Sequence, residues 1–166
     1  GYILVGAPLS GGVSFAMLKD FFADTVKLFT GIEKSSHELY ERMISIPYQT
    51  NTNDGIEVET LFSGTRVEPD KRGKIDHISL SNFTPENLIR GFVKGISQSL
   101  YDYFRLIPDS VRQNKTILVG SGNGIKKNPL IRQALEERFG YSLYLSNVQE
   151  EAALGACVCN MVSDKK

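Results

Sequence analysis

The sequence predicts one α/β domain, and three stretches carry that prediction. Near residue 120, the run Thr116-Ile-Leu-Val-Gly-Ser-Gly-Asn-Gly-Ile-Lys-Lys-Asn-Pro-Leu-Ile-Arg-Gln-Ala-Leu135 passes from a short apolar strand through a glycine-rich turn into a helix. At the start, Gly1-Tyr-Ile-Leu-Val5 leads through the glycine turn Gly6-Ala-Pro-Leu-Ser-Gly-Gly12 into another helix, in the same strand–glycine–helix order. Between them, apolar residues recur at helical spacing over about five turns from Thr84 to Phe104. Strands alternating with helices and joined by glycine turns are the pattern of an α/β domain. No repeat, low-complexity stretch or linker divides residues 1–166.

Taken in order, the elements are as follows. The first helix is expected from about Ser14 to Phe29, with Phe15, Leu18, Phe22, Val26 and Phe29 on one face. Ser35 or Ser36 can cap a short helix over Glu38–Met43, the serine-to-glutamate offset resembling a capping box. Asn51-Thr-Asn-Asp-Gly55 is a turn, since Asn and Asp tolerate left-handed backbone and Gly supplies it. Ile56-Glu-Val-Glu-Thr-Leu61 alternates like a half-exposed strand. The polar loop Gly64–Gly73 separates it from an extended piece over Lys74–Leu80. Thr84 then caps and Pro85 starts the long helix, whose stripe is Leu88, Ile89, Phe92, Val93, Ile96, Leu100, Tyr103 and Phe104, and Pro108 stops it. Gly91 and Gly95, one turn apart, weaken such a helix by roughly 1 kcal/mol each in isolation, and either close packing against backbone or mere drift accounts for them. In the glycine unit, Asn128 suits the N-cap and Pro129 the first helical position. A strand over Ser142–Ser146 and a helix containing Glu150-Glu-Ala-Ala-Leu-Gly-Ala156 complete the chain.

Composition narrows the chemistry. Nineteen basic and nineteen acidic side chains balance to zero, which argues against nucleic acid as a partner, because phosphate-backbone binding needs a basic excess. No apolar run approaches the ~20 residues of a membrane span. Cys157 and Cys159 sit two apart on a predicted helix and point different ways, so the reading is a pair of reduced thiols in a cytoplasmic protein. His37 and His77 stand alone among polar residues, and no cluster with metal-ligand spacing occurs. A strand-like run at the first residue, with no methionine before it, suggests a piece of a longer chain.

The glycine unit is not a G-x-G-x-x-G fingerprint, because Ile125 stands where the pattern breaks, and it lacks the Gly-Lys-Ser/Thr of a P-loop. Bare backbone there serves either a tight turn or the close approach of a ligand. A dinucleotide-binding domain would further need a carboxylate at the next strand end to hold a ribose, and Leu145-Ser-Asn147 offers none.

Three features in order, the opening Gly-Gly–helix unit, the Gly-Ser-Gly–helix unit near residue 120 and the helix reading Glu-Glu-Ala-Ala-Leu-Gly-Ala, resemble the C-terminal domain of the FGGY carbohydrate kinases. Gly64-Thr-Arg66 and Pro69-Asp-Lys-Arg-Gly73 fall where that family carries its glycine- and proline-containing stretch, so the resemblance spans essentially the whole chain. The spacing is nearest that of the family's sedoheptulose-phosphorylating members. The resemblance implies a ribonuclease H-like, actin-like ATPase fold, forming the C-terminal half of a two-domain sugar kinase. It implies transfer of the γ-phosphate of ATP to a sugar hydroxyl, the sugar being a ketose such as sedoheptulose.

Carried over residue by residue, the resemblance places adenine and ribose between two facing glycine loops: Gly11 and Gly12 with the helix start at Phe15 and Ala16, and Gly120, Ser121, Gly122, Asn123 and Gly124 with Asn128. Asn128 serves as helix cap or as adenine contact, and Ser121 and Asn123 bond either their own backbone or the ligand. Lys126 and Lys127 border the loop as a solvated pair or as phosphate contacts; Asp20, Glu150 and Glu151 read as surface or packing residues, and Gly155 as a helix-packing glycine. No catalytic residue and no metal ligand is assigned within this chain. The general base, the phosphate loop and most of the hold on Mg²⁺ belong, in the family, to parts preceding the first strand, so the chain alone is expected to be inactive, with the sugar bound through an absent N-terminal domain. An oligomer is compatible with the sequence. The alternative is a non-catalytic actin-like nucleotide-binding module that switches partners.

Overall fold

The computed structural model describes residues 11–49, 55–65, 68–113, 115–148 and 151–163. The expected opening strand over residues 1–5, the turn residues 6–10, residues 51–54 of the Asn-Asp turn and Glu150 lie outside the described residues.

Seven helices and four strands appear among the described residues. In chain order they are α1 (Gly11–Thr30), α2 (Ser36–Ile44), β1 (Glu57–Glu59), β2 (Lys74–Asp76), α3 (Pro85–Arg105), α4 (Asp109–Arg112), β3 (Ile117–Gly120), α5 (Asn123–Lys126), α6 (Pro129–Phe139), β4 (Ser142–Leu145) and α7 (Glu151–Ser163). The strands form two separate pairs. β1 and β2 run antiparallel with Val58 opposite Ile75, while β3 and β4 run parallel with Leu118 opposite Leu143 and Val119 opposite Tyr144. The β3–β4 pair is the product of a right-sized crossover: strand, glycine loop, helix and back to a neighbouring strand.

α3 is the centre. Its expected caps are in place, the Thr84 side chain accepting from the Asn87 N–H and Pro85 opening the first turn. Leu88, Ile89, Phe92, Val93 and Ile96 are buried in the core. Gly91 and Gly95 are buried too, and the structure decides between the two readings of them. A Cβ at Gly91 would stand 2.8 Å from the carbonyl oxygen of Ile56, and one at Gly95 would collide with that of Val58. The helix therefore lies directly on the backbone of β1, and only glycine allows it.

The other elements lean on this pair. α1 packs against α2 and α3, burying Phe15 and Leu18, and the buried Ser14 hydroxyl donates to the Thr60 carbonyl at 3.3 Å. α6 packs on α3 from another side through Leu130, Ile131, Ala134 and Leu135. The Tyr48 phenol donates to the Glu137 carboxylate, tying the segment after α2 to α6; burial, then that carboxylate, push its pKa well up.

Several boundaries differ from expectation. Gly11 and Gly12 do not form a turn but the first turn of α1, which starts three residues earlier than Ser14. Glycine has low helix propensity, and the downstream apolar face carries the helix through Gly12. Phe29 was expected on the buried face and is 80% exposed, because burial fades toward the C-terminal end of α1. The capping box of α2 is formed by Ser35 and Glu38, with Ser36 inside the helix. The extended piece after Lys74 stops at Asp76, where His77 turns to φ 58 and its carbonyl accepts from the buried Asn82 side chain. α4 and α5, each a single turn, were not anticipated, and isolated turns have no periodicity to read.

The Gly91 and Gly95 contacts predict that Gly95→Ala, chemically a gain in helix propensity, destabilises the protein by about 1–3 kcal/mol through overpacking. Urea unfolding checks this, with Gly140→Ala, an exposed αL cap, as the comparison for a purely backbone penalty.

Candidate functional site

The glycine unit assembles from β3 upward. Gly120 ends the strand and is buried; a Cβ there would stand 2.8 Å from Ile125 Cγ2 and 3.0 Å from Leu143 Cδ2. This glycine is therefore a packing requirement, letting α5 fold back over the strand end. Its carbonyl accepts from the Ser146 N–H at 2.9 Å, continuing the parallel pairing past β4.

Gly122 is different. It sits at φ 81, in the region that favours glycine, and caps α5, its carbonyl accepting from the N–H groups of Lys126 at 3.0 Å and Ile125 at 3.3 Å. A Cβ at Gly122 or at Gly124 would meet nothing within 4 Å. Ser121, Asn123 and Gly124 are exposed beside it. The result is a patch of open, side-chain-poor backbone on a defined turn, which a flat ring could approach closely.

Asn128 realises the cap reading. It is 5% exposed, and its side-chain oxygen accepts from the Ile131 N–H at 3.1 Å. Gly140, in αL conformation, closes the other end of α6. Beneath the loop lies an apolar cavity of about 270 Å³ bounded by Leu100, Phe104, Leu118, Ile125, Phe139 and Leu143. None of these side chains can hold a phosphate.

On α1, Gly12 is exposed and a Cβ there would also meet nothing within 4 Å. Ala16 is half-buried. Phe15 turns its ring inward, 6% exposed and stacked on Tyr40 with centroids 6.1 Å apart, so its side chain belongs to the core and not to an open surface. No hydrogen bond or ring contact among the described residues joins Gly12–Ala16 to Gly120–Gly124; what the two segments share is α3, on which both α1 and α6 are seated.

The remaining residues singled out in the sequence are accounted for. Lys126 is half-buried and its ammonium reaches the Val148 carbonyl, whereas Lys127 is exposed. Asp20 pairs with Lys19 at the surface. His37 lies 3.4 Å from Glu41 and His77 3.4 Å from Glu57, all exposed. Cys157 and Cys159 are free thiols exposed on α7 with Gly155. Among the described residues no group of three or more His, Cys, Asp or Glu could hold a metal ion, and no helix is long and apolar enough to cross a membrane. The sequence reading missed Arg132, which no motif marks; it lies one turn beyond the Asn128 cap and its guanidinium returns to the glycine unit.

The fold is found in solved sugar kinases. A xylulose kinase from Rhodospirillum rubrum superposes with a TM-score of 0.58 at 16% identity, covering 81% of this chain and 25% of its own. One from Bifidobacterium adolescentis gives 0.57 at 25% identity over 80% of this chain and 25% of its own, and one from Brucella ovis 0.56 at 12% over 80% and 26%. The chain thus spans about a quarter of the length of these kinases. No protein-family model matches the sequence, and no curated protein does.

The cap predicts that Asn128→Ala lowers stability by about 0.5–2 kcal/mol, and that Asn128→Asp retains most of it. Thermal unfolding checks both; equal stability of the alanine variant would remove the cap role.

Proposed function

We propose that this chain supplies the nucleotide-side wall of an ATP-dependent sugar kinase, with Gly11, Gly12 and Ala16 on one side and Gly120–Gly124 on the other, Phe15 and Asn128 holding the two walls from behind. The observation that carries this reading is the pairing of a sugar-kinase fold over four-fifths of the chain with open backbone at Gly12, Gly122 and Gly124. A nucleoside fits such a surface: its ring lies flat on bare backbone, and loop carbonyl, amide and side-chain groups at Ser121 and Asn123 can read its polar edge.

The full kinase then transfers the γ-phosphate of ATP in line to a sugar hydroxyl, positioning and charge neutralisation providing most of the acceleration. The substrate is a ketose. Xylulose kinase neighbours favour that class, and sedoheptulose remains our first candidate from the spacing of the sequence motifs. Magnesium, when bound, would neutralise charge on the phosphates, and on this reading its ligands and the general base come from other parts of the protein. Closure around the sugar would exclude water and limit idle hydrolysis.

Calorimetric titration with ADP tests the reading. The chain is expected to bind saturably with Kd on the order of 0.1–1 mM. Gly12→Ala and Gly124→Ala are expected to weaken binding about tenfold or more without loss of thermal stability, because the added methyl occupies open space that the ligand would use. No saturable binding up to ~10 mM ADP would overturn the proposal. With ATP and ketoses the chain alone should show background turnover only.

A further inference from the structure

α5 is a single turn, Asn123–Lys126, too short to hold its own shape in water. The Ile125 carbonyl accepts from the Asn128 N–H at 3.4 Å, and the chain leaves at Lys127 to begin α6. Arg132 closes this end. From the first turns of α6 its Nη1 donates to the Lys126 carbonyl at 2.7 Å and to the Ile125 carbonyl at 3.1 Å. The backbone N–H of Arg132 bonds to the Asn128 carbonyl at 3.3 Å, so the side chain springs from the capped, rigid start of α6. A cation on C-terminal carbonyls is favourable both as a charge-assisted hydrogen bond and through the dipole of the turn. On the other side, the Lys126 ammonium reaches the Val148 carbonyl beyond β4. The open backbone at Gly122–Gly124 is thus the outer edge of a turn pinned from below.

We infer that Arg132 is a positioning residue that fixes the glycine loop through the Ile125 and Lys126 carbonyls and thereby sets the loop's affinity for an adenine nucleotide. This rests, for the ligand, on the function proposed above; the clamp itself does not. Arg132 touches no ligand in this account, and it acts by keeping the Gly122 turn in the one orientation that presents its bare face.

Arg132→Met keeps the helix propensity and the aliphatic stem while removing the donors. In the ligand-free protein, amide hydrogen exchange at residues 125–128, whose N–H groups are bonded within the turn, should accelerate about tenfold or more, while amides of α3 keep their protection. ADP affinity should fall about tenfold, and Arg132→Lys, which retains a cation able to reach a carbonyl, should recover part of both effects. Unchanged exchange at 125–128 in Arg132→Met would overturn the clamp. Faster exchange with unchanged ADP affinity would overturn its role in nucleotide binding. Absence of ADP binding by the unaltered protein would defeat the proposed function instead, and the exchange comparison would still decide the clamp. Should Arg132→Met lose α3 protection as well, Arg132→Ala, which also removes the donors while keeping helix propensity, carries the comparison, with loop exchange no faster than in the unaltered protein as the contradicting result.

Discussion

The whole arrangement depends on α3 lying against the bare backbone of β1. Gly91 and Gly95 bring the helix close enough that carbonyl oxygens of Ile56 and Val58 occupy the space of the missing Cβ atoms. Contact at that range removes water from the apolar residues on either side, and Phe92, Val93 and Ile96 are all deeply buried in the core. The two intrinsic helix penalties are offset by burial that no larger residue would permit. α1 and α6 then take their positions from α3, and with them the two glycine segments.

The glycines of this chain do two opposite jobs. At Gly91, Gly95 and Gly120 the absent side chain is filled by protein: helix on strand in the first two cases, Ile125 and Leu143 in the third. At Gly12, Gly122 and Gly124 the same absence opens onto empty space. Only the second kind offers room to a ligand. The left-handed backbone at Gly122 is a conformational need in its own right, whereas Gly12 is helical and faces no steric demand from its neighbours.

Much of this fold was legible in the sequence where local chemistry and periodicity agreed. α3 carried both a Thr-Pro start and a long apolar stripe, α6 an Asn-Pro start, and α2 a serine-to-glutamate capping box; all three formed at the expected places. Ile56, Val58 and Thr60 alternate inward as expected, although the paired strand is shorter than the pattern because β2 offers only three partners. Illegible were features set by tertiary contact: the single turns α4 and α5, the helical state of Gly11 and Gly12, and the exposure of Phe29. In the site, the distinction between Gly120 and Gly122 needed coordinates, since one spacing of small residues encodes both a packed and an open position. Arg132 was invisible for a similar reason. Its role is a contact to backbone carbonyls, which leaves no signature in side-chain pattern.

The proposed nucleotide site requires Gly12 and Gly122–Gly124 to face one nucleoside. Backbone NMR resonances followed during titration with ADP test this most directly. The account predicts that amides of Gly12 and of residues 122–124 shift together along curves sharing one dissociation constant, while those around Gly91 and Gly95 stay in place. Shifts confined to one of the two segments, or curves with different constants, would contradict it.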